Sequence, residues 1–233
     1  MPESKTKHLT FADIAVLALI FFGTAAYSSS IGYFELLQEN RVMPENLSIN
    51  DLASWQTTAM QAVLLVIAWL YLRWRRFDFS VLNFKVNRYT LPLTLLLILG
   101  AGLFTDLYQY LQAFIAPQHY PEAEQNYYQR VHYTPQLIIT SLFNGFFEEI
   151  FFMGLVFAVK PQTLPKAVVF SLFVRFIFHT YQGLAGALTI TTLGVSFWLF
   201  RRKIPMLVPF FLAHGAFDIF GLSVLGFLFW GDN

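Results

Sequence analysis

Six ionisable residues stand in stretches of chain that otherwise read Phe, Leu, Ile, Val and Ala: Glu148 and Glu149, then Arg175 and His179, then His214 and Asp218. A carboxylate pair beside two histidines can activate water, bind a developing oxyanion or hold a metal ion. Arg175 and His179 are four residues apart, and so are His214 and Asp218, so each pair shares a face wherever the chain is helical. The chain has no cysteine, which excludes disulfides and thiolate metal sites and leaves His and carboxylate as the only metal donors of consequence.

What must position these residues follows from composition. Of 233 residues, 56% are hydrophobic and only 12% charged, against about a quarter charged in a soluble domain. Twenty-seven phenylalanines cannot be hidden inside a globule of this size, so the chain reads as an all-α polytopic membrane protein, a single membrane domain over 1–233. Nucleic-acid binding is excluded. Apolar stretches of about 20 residues place seven transmembrane spans near 10–34, 54–74, 90–116, 135–159, 165–183, 184–200 and 204–230, with a polar site inside the bundle.

The basic residues orient these spans. Lys5, Lys7, Arg73, Arg75, Arg76, Lys85, Arg88, Lys160, Lys166, Arg201, Arg202 and Lys203 fall on one side, and Arg41 and Arg130 on the other. The N-terminus is therefore expected in the cytoplasm and the C-terminus outside. The first span also has features of a signal peptide, but its apolar character runs on through Ile31 and Phe34. Trp55, Tyr71, Trp74, Tyr89, Tyr127, Tyr128, Tyr133 and Trp230 fall near span ends as an interfacial belt. Asp13 and Asp106 are expected at the two membrane edges, and His119 and His132 in a solvated outer loop. Gly183 and Gly186, with Ala185 and Ala187, are expected to let the fifth and sixth helices approach closely.

Depth gathers the six. At 1.5 Å rise per residue, Glu148 lies about 17 Å from Val159, His179 about 21 Å from Pro165, and His214 and Asp218 about 15 and 21 Å from Ile204. Each charge at mid-membrane costs roughly 2.5–3.5 kcal/mol on insertion scales, so the six must face one another or internal water. A polar clamp between helices, an ion pathway in a small transporter and a hydrolytic site all use such residues. Convergence of six on three spans favours the hydrolytic site.

The order and spacing of these motifs resemble the CAAX-protease and bacteriocin-processing (CPBP, or Abi) family of intramembrane proteases. Its pattern is a Glu-Glu pair followed after three residues by Arg, then Phe-x-x-x-His, then His-x-x-x-Asn/Asp on successive membrane helices. Here these are Glu148-Glu149, Arg175 through His179, and His214 through Asp218, within a catalytic core over 135–230. The resemblance implies an endopeptidase in which Glu148 draws a proton from the attacking water, His179 helps to orient it, and His214 and Asp218 stabilise the oxyanion, with Glu149 beside them. Glu148, His179 and His214 would also suit a zinc ion with a position left for water, so metal-dependent and metal-free versions both stand. An ionised Asp218 has no proton to donate and is better suited to orienting His214 or ligating a metal.

Two positions depart from the pattern: the family arginine falls on Met153 and the family phenylalanine on Arg175. Loss of function, leaving a non-catalytic or immunity-type membrane protein, is one consequence. The other is that the guanidinium has moved between helices and supplies the supporting charge for Glu149 from Arg175. The family implies a membrane lipid setting, most simply a bacterial plasma membrane. It also implies a peptide or protein substrate, such as a prenylated C-terminus, a leader peptide or a sorting signal.

Overall fold

A computed structural model of the chain describes residues 6–39, 51–115 and 133–228. His119, His132, Arg41, Arg130, Lys5, Tyr127, Tyr128, Trp230 and the C-terminal residues lie outside the described residues. The fold is all-α: α1 Phe11–Glu39, α2 Asp51–Trp74, α3 Thr90–Ile115, α4 Pro135–Glu149, α5 Leu164–Phe178, α6 Gly183–Arg201, α7 Val208–Phe220 and α8 Val224–Leu228. Among the described residues, extended pairing is confined to two isolated bridges, Thr6 with Phe77 and Leu9 with Val159. Five helical stretches are long and apolar enough to cross a membrane, including Pro135–Ala158, which carries α4 onward. Large apolar side chains such as Leu19, Val66, Leu91 and Phe173 are exposed on the bundle's outer surface, as lipid-facing positions should be.

Helix boundaries depart from the sequence reading in the last spans. The fifth ends at Phe178, followed by a 3₁₀ turn over Thr180–Gln182. The expected span 204–230 is two pieces, because the chain turns at Gly221, whose φ of 83° is open to glycine and strained for other residues. Asp106 is buried in the bundle, and its carboxylate accepts from the backbone N–H groups of Val224 and Leu225, capping α8. Asp13 is buried too. It accepts from Thr10, from Tyr71 Oη at 2.7 Å and from Arg75 Nε at 2.7 Å, which ties the start of α1 to the end of α2.

The helices that carry the charges cross closely, and glycine sets how closely. The most extensive packing in the bundle is α4 on α7. A Cβ on Gly145 would lie 2.5 Å from the Phe211 carbonyl oxygen and 2.8 Å from the Gly215 nitrogen, and one on Gly215 would lie 3.0 Å from Leu142 Cα. Backbone meets backbone there, as in small-residue membrane crossings. Gly145→Ala is accordingly expected to destabilise the bundle by about 1–3 kcal/mol, measured as a lowered thermal midpoint in detergent. An unchanged midpoint would mean that the crossing can open freely.

Gly183 and Gly186 do not have the role the sequence suggested. Gly183 takes a φ of 76° at the start of α6 with no neighbour within 4 Å of its Cβ position, and a Cβ on Gly186 would meet Gln182 of the same turn. The close approach of α5 and α6 is at Gly194, where a Cβ would lie 2.9 Å from Arg175 Cδ and 3.0 Å from Leu172 Cδ2.

Candidate active site

Glu148 and Glu149 end the regular part of α4, and both are buried. The helix then widens into a π-turn over Ile150–Leu155 before tightening to 3₁₀ over Val156–Ala158. Such wide turns inside helices are frequent at functional sites. Where the widened stretch narrows, the Met153 carbonyl accepts from Arg201 Nε at 2.7 Å, while Arg201 Nη1 donates to the Ile204 carbonyl. The guanidinium of α6 thus holds the end of the glutamate helix.

Arg175, on α5, has no exposed surface and lies over the Phe152 ring, 4.0 Å from its centroid. Its Nη2 donates to Glu149 Oε1 at 2.6 Å, and the same oxygen meets His214 Nδ1 at 2.7 Å. Glu149 is therefore a clasp between α5 and α7, and with Nδ1 engaged His214 offers Nε2 to the rest of the site. Nε2 lies 3.8 Å from Glu148 Oε2 and 3.5 Å from Asp218 Oδ1. Among the described residues, four buried side-chain atoms have no hydrogen-bond partner: Glu148 Oε2, Glu149 Oε2, and Arg175 Nε and Nη1. Unmade hydrogen bonds on buried charged groups are expensive, so the first two mark where a ligand, water or ion would gain most.

A cavity of about 10 Å³ adjoins the arginine, lined by Phe152, Met153, Ser171, Arg175 and Gly194 among others. The two positions at which this chain departs from the family pattern, 153 and 175, therefore border one space. That is the arrangement an exchange of guanidinium between helices requires.

His179 caps α5, with Nδ1 on the Arg175 carbonyl at 2.8 Å and its ring 4.1 Å from Phe178. The turn after it is tied to α1, since Ser29 Oγ accepts from the Tyr181 N–H at 2.8 Å. The buried residues whose ligand atoms lie within 4.8 Å of one another, close enough for one ion, are Glu148, Glu149 and His214. His179 is outside that group, so the metal set that includes it is not the one the described residues assemble. In the observed group, Glu149 Oε1 already faces a guanidinium, which leaves Oε2 as its available donor.

Two site residues were missed in the sequence. Asn144, one helical turn before Glu148, donates from Nδ2 to Glu148 Oε1 at 3.2 Å and to Asp218 Oδ2 at 2.8 Å. Gln61 on α2 donates from Nε2 to Asn144 Oδ1 at 2.7 Å. The four-residue spacing of Asn144 and Glu148 was available as a signal; nothing in the sequence pointed to Gln61.

Comparison with known families adds one match: residues 130–220 correspond to the family described as type II CAAX prenyl endopeptidase Rce1-like. This is consistent with the CPBP resemblance, and the matched stretch holds all six charged site residues. No curated protein and no solved structure matches the chain.

Proposed function

We propose that this integral membrane protein, whose residues 130–220 carry the prenyl endopeptidase pattern, is an intramembrane endopeptidase that hydrolyses a peptide bond with water activated by Glu148. The observation that carries the reading is Glu148 Oε2, a buried carboxylate oxygen with no hydrogen-bond partner among the described residues, facing His214 Nε2 at 3.8 Å while its sister oxygen is anchored by Asn144. A water held there gives its proton to Glu148 as its oxygen adds to the peptide carbonyl carbon, and that proton passes to the departing amine as the C–N bond breaks. The oxyanion develops near His214, which Glu149 orients through Nδ1 and whose Nε2 Asp218 faces. His179 contributes to holding the water.

Glu148, Glu149 and His214 could hold a metal ion, which when bound would supply Lewis-acid polarisation of the carbonyl. Elemental analysis distinguishes the two versions. Near-stoichiometric zinc in the purified wild type that disappears in His214→Ala decides for the metal, and equal trace amounts in both decide against it.

The substrate fitting the matched family is a prenylated C-terminal peptide, delivered from the membrane; leader peptides and sorting signals are the other members of that substrate class. The chain reconstituted in liposomes with a farnesylated C-terminal peptide is expected to release the C-terminal fragment. Failure to cleave that peptide and leader-type peptides alike would remove the protease reading.

For orientation we take the basic side as cytoplasmic, in a bacterial plasma membrane. An alkaline phosphatase fused after Asn233 is then expected to be active, and one inserted in the 73–88 loop inactive. The reverse pattern would invert the topology.

A further inference from the structure

The amide chain beneath the glutamates has the features of a positioning device. Asn144 and Glu148 are four residues apart on α4 and share a face, while Asp218 comes from α7 and Gln61 from α2. A carboxylate accepts hydrogen bonds and does not donate them, so two carboxylates facing Asn144 require its NH₂ group to point at both. One N–H goes to Glu148 Oε1 and the other to Asp218 Oδ2. That uses both donors and leaves Asn144 Oδ1 pointing the other way, where Gln61 Nε2 donates to it. Gln61 thereby fixes which end of the Asn144 amide faces the acids.

Each acid is divided by this contact into an anchored oxygen and a facing one. Glu148 keeps Oε1 on Asn144 and turns Oε2 toward His214 Nε2 at 3.8 Å. Asp218 keeps Oδ2 on Asn144 and turns Oδ1 toward the same nitrogen at 3.5 Å. Without the bridge, two like-charged groups, Glu148 buried and Asp218 partly exposed, would separate or rotate, and Glu148 could present either oxygen. Gln61 lies outside the stretch that matches the family, residues 130–220, so the device is contributed in part by another portion of the chain.

We propose that Gln61 and Asn144 are positioning residues that hold the Glu148 and Asp218 carboxylates in the geometry for water activation. The inference rests on the endopeptidase reading above. Because it concerns the direction of donation and not bulk, substitutions of nearly equal size separate it from packing. Asn144→Asp keeps the shape but replaces two donors by acceptors. Gln61→Glu turns the outer donor into an acceptor and favours rotation of the Asn144 amide, whereas Gln61→Lys keeps a donor at that place.

The test is steady-state cleavage of a farnesylated C-terminal peptide by the full chain in liposomes, with thermal midpoints measured alongside. Asn144→Asp and Gln61→Glu are expected to lower kcat at least tenfold, the scale of a hydrogen bond to a charged group, with KM changed less than about threefold. Gln61→Lys is expected to retain kcat within about threefold of wild type. The double variant Asn144→Asp with Gln61→Glu is expected to be little worse than Asn144→Asp alone, since both act on one amide. If Glu148→Gln abolishes cleavage while Asn144→Asp or Gln61→Glu leaves kcat intact, the positioning role is overturned and the endopeptidase reading survives. Equal kcat losses in Gln61→Lys and Gln61→Glu, tracking their thermal midpoints, would overturn it in favour of packing. If the wild type does not cleave, or Glu148→Gln still cleaves, the endopeptidase reading fails and the positioning role falls with it.

Discussion

Glu148→Gln is expected to lower peptide cleavage by about 10²–10⁴-fold, the range of a general base, while leaving the bundle intact. Glutamine has the size of glutamate and keeps an oxygen that can accept from Asn144, so the contact at Oε1 survives. What is lost is proton acceptance at Oε2, the buried oxygen with no hydrogen-bond partner among the described residues. Removing a charge from such a place relieves a desolvation cost, so the thermal midpoint is expected to hold or rise. Cleavage assays and melting curves on the same preparation check both halves. Cleavage at the wild-type rate would end the mechanism, and a fall in activity with a matching fall in midpoint would move the effect from chemistry to folding.

Arg175→Phe carries the second large effect. It strips Glu149 of the guanidinium at 2.6 Å and leaves a fully buried carboxylate whose remaining side-chain hydrogen bond, among the described residues, is to His214. Breaking a buried pair by removing one partner typically costs about 3–5 kcal/mol, and the loosened His214 should cost activity as well. Adding Met153→Arg to that variant rebuilds the family pattern at both positions. Position 153 is one turn after Glu149 and borders the same cavity as Arg175, so an arginine there starts from the correct side of the acid. The pair is expected to be strongly non-additive, with the double variant recovering much of the lost stability and turnover. A double variant no better than Arg175→Phe alone would show that the two positions do not share a role, and would favour the non-catalytic alternative.

How much of this was legible follows from what each residue costs. The charges at 148, 149, 175, 214 and 218 stood out because an isolated charge in lipid is intolerable, so helices holding them had to meet, and they do. Asn144 and Gln61 are neutral amides, cheap enough in a membrane helix to pass as incidental, and their bond spans 83 residues of sequence. Gly145 and Gly215 gave no signal for a similar reason: an isolated glycine has meaning only once the opposing backbone is known to lie against it. The break at Gly221 was hidden because the residues after it, Leu222 through Phe229, are nearly as apolar as those before, and hydropathy reports partition, not direction of the chain. His179 entered the metal set through its place in the family motif, but a motif says nothing about which way a ring nitrogen faces, and Nδ1 is spent on its own helix.

The two helices that deliver Arg175, His214 and Asp218 are short, 15 residues for α5 and 13 for α7. At 1.5 Å per residue they measure about 22 and 20 Å, against a hydrocarbon layer of about 30 Å. Where a span is shorter than the hydrocarbon layer, the mismatch is accommodated by thinning the bilayer, by snorkelling of flanking residues or by oligomerising. On the endopeptidase reading, thinning beside these helices would leave bulk water the least hydrocarbon to cross near the acids, and a substrate tethered in one leaflet the least depth to sink. Acyl-chain length of the surrounding lipid is therefore expected to control turnover, with cleavage in liposomes faster in short-chain lipid, where the mismatch is relieved, than in long-chain lipid; equal rates in both would show that these helices do not feel the bilayer.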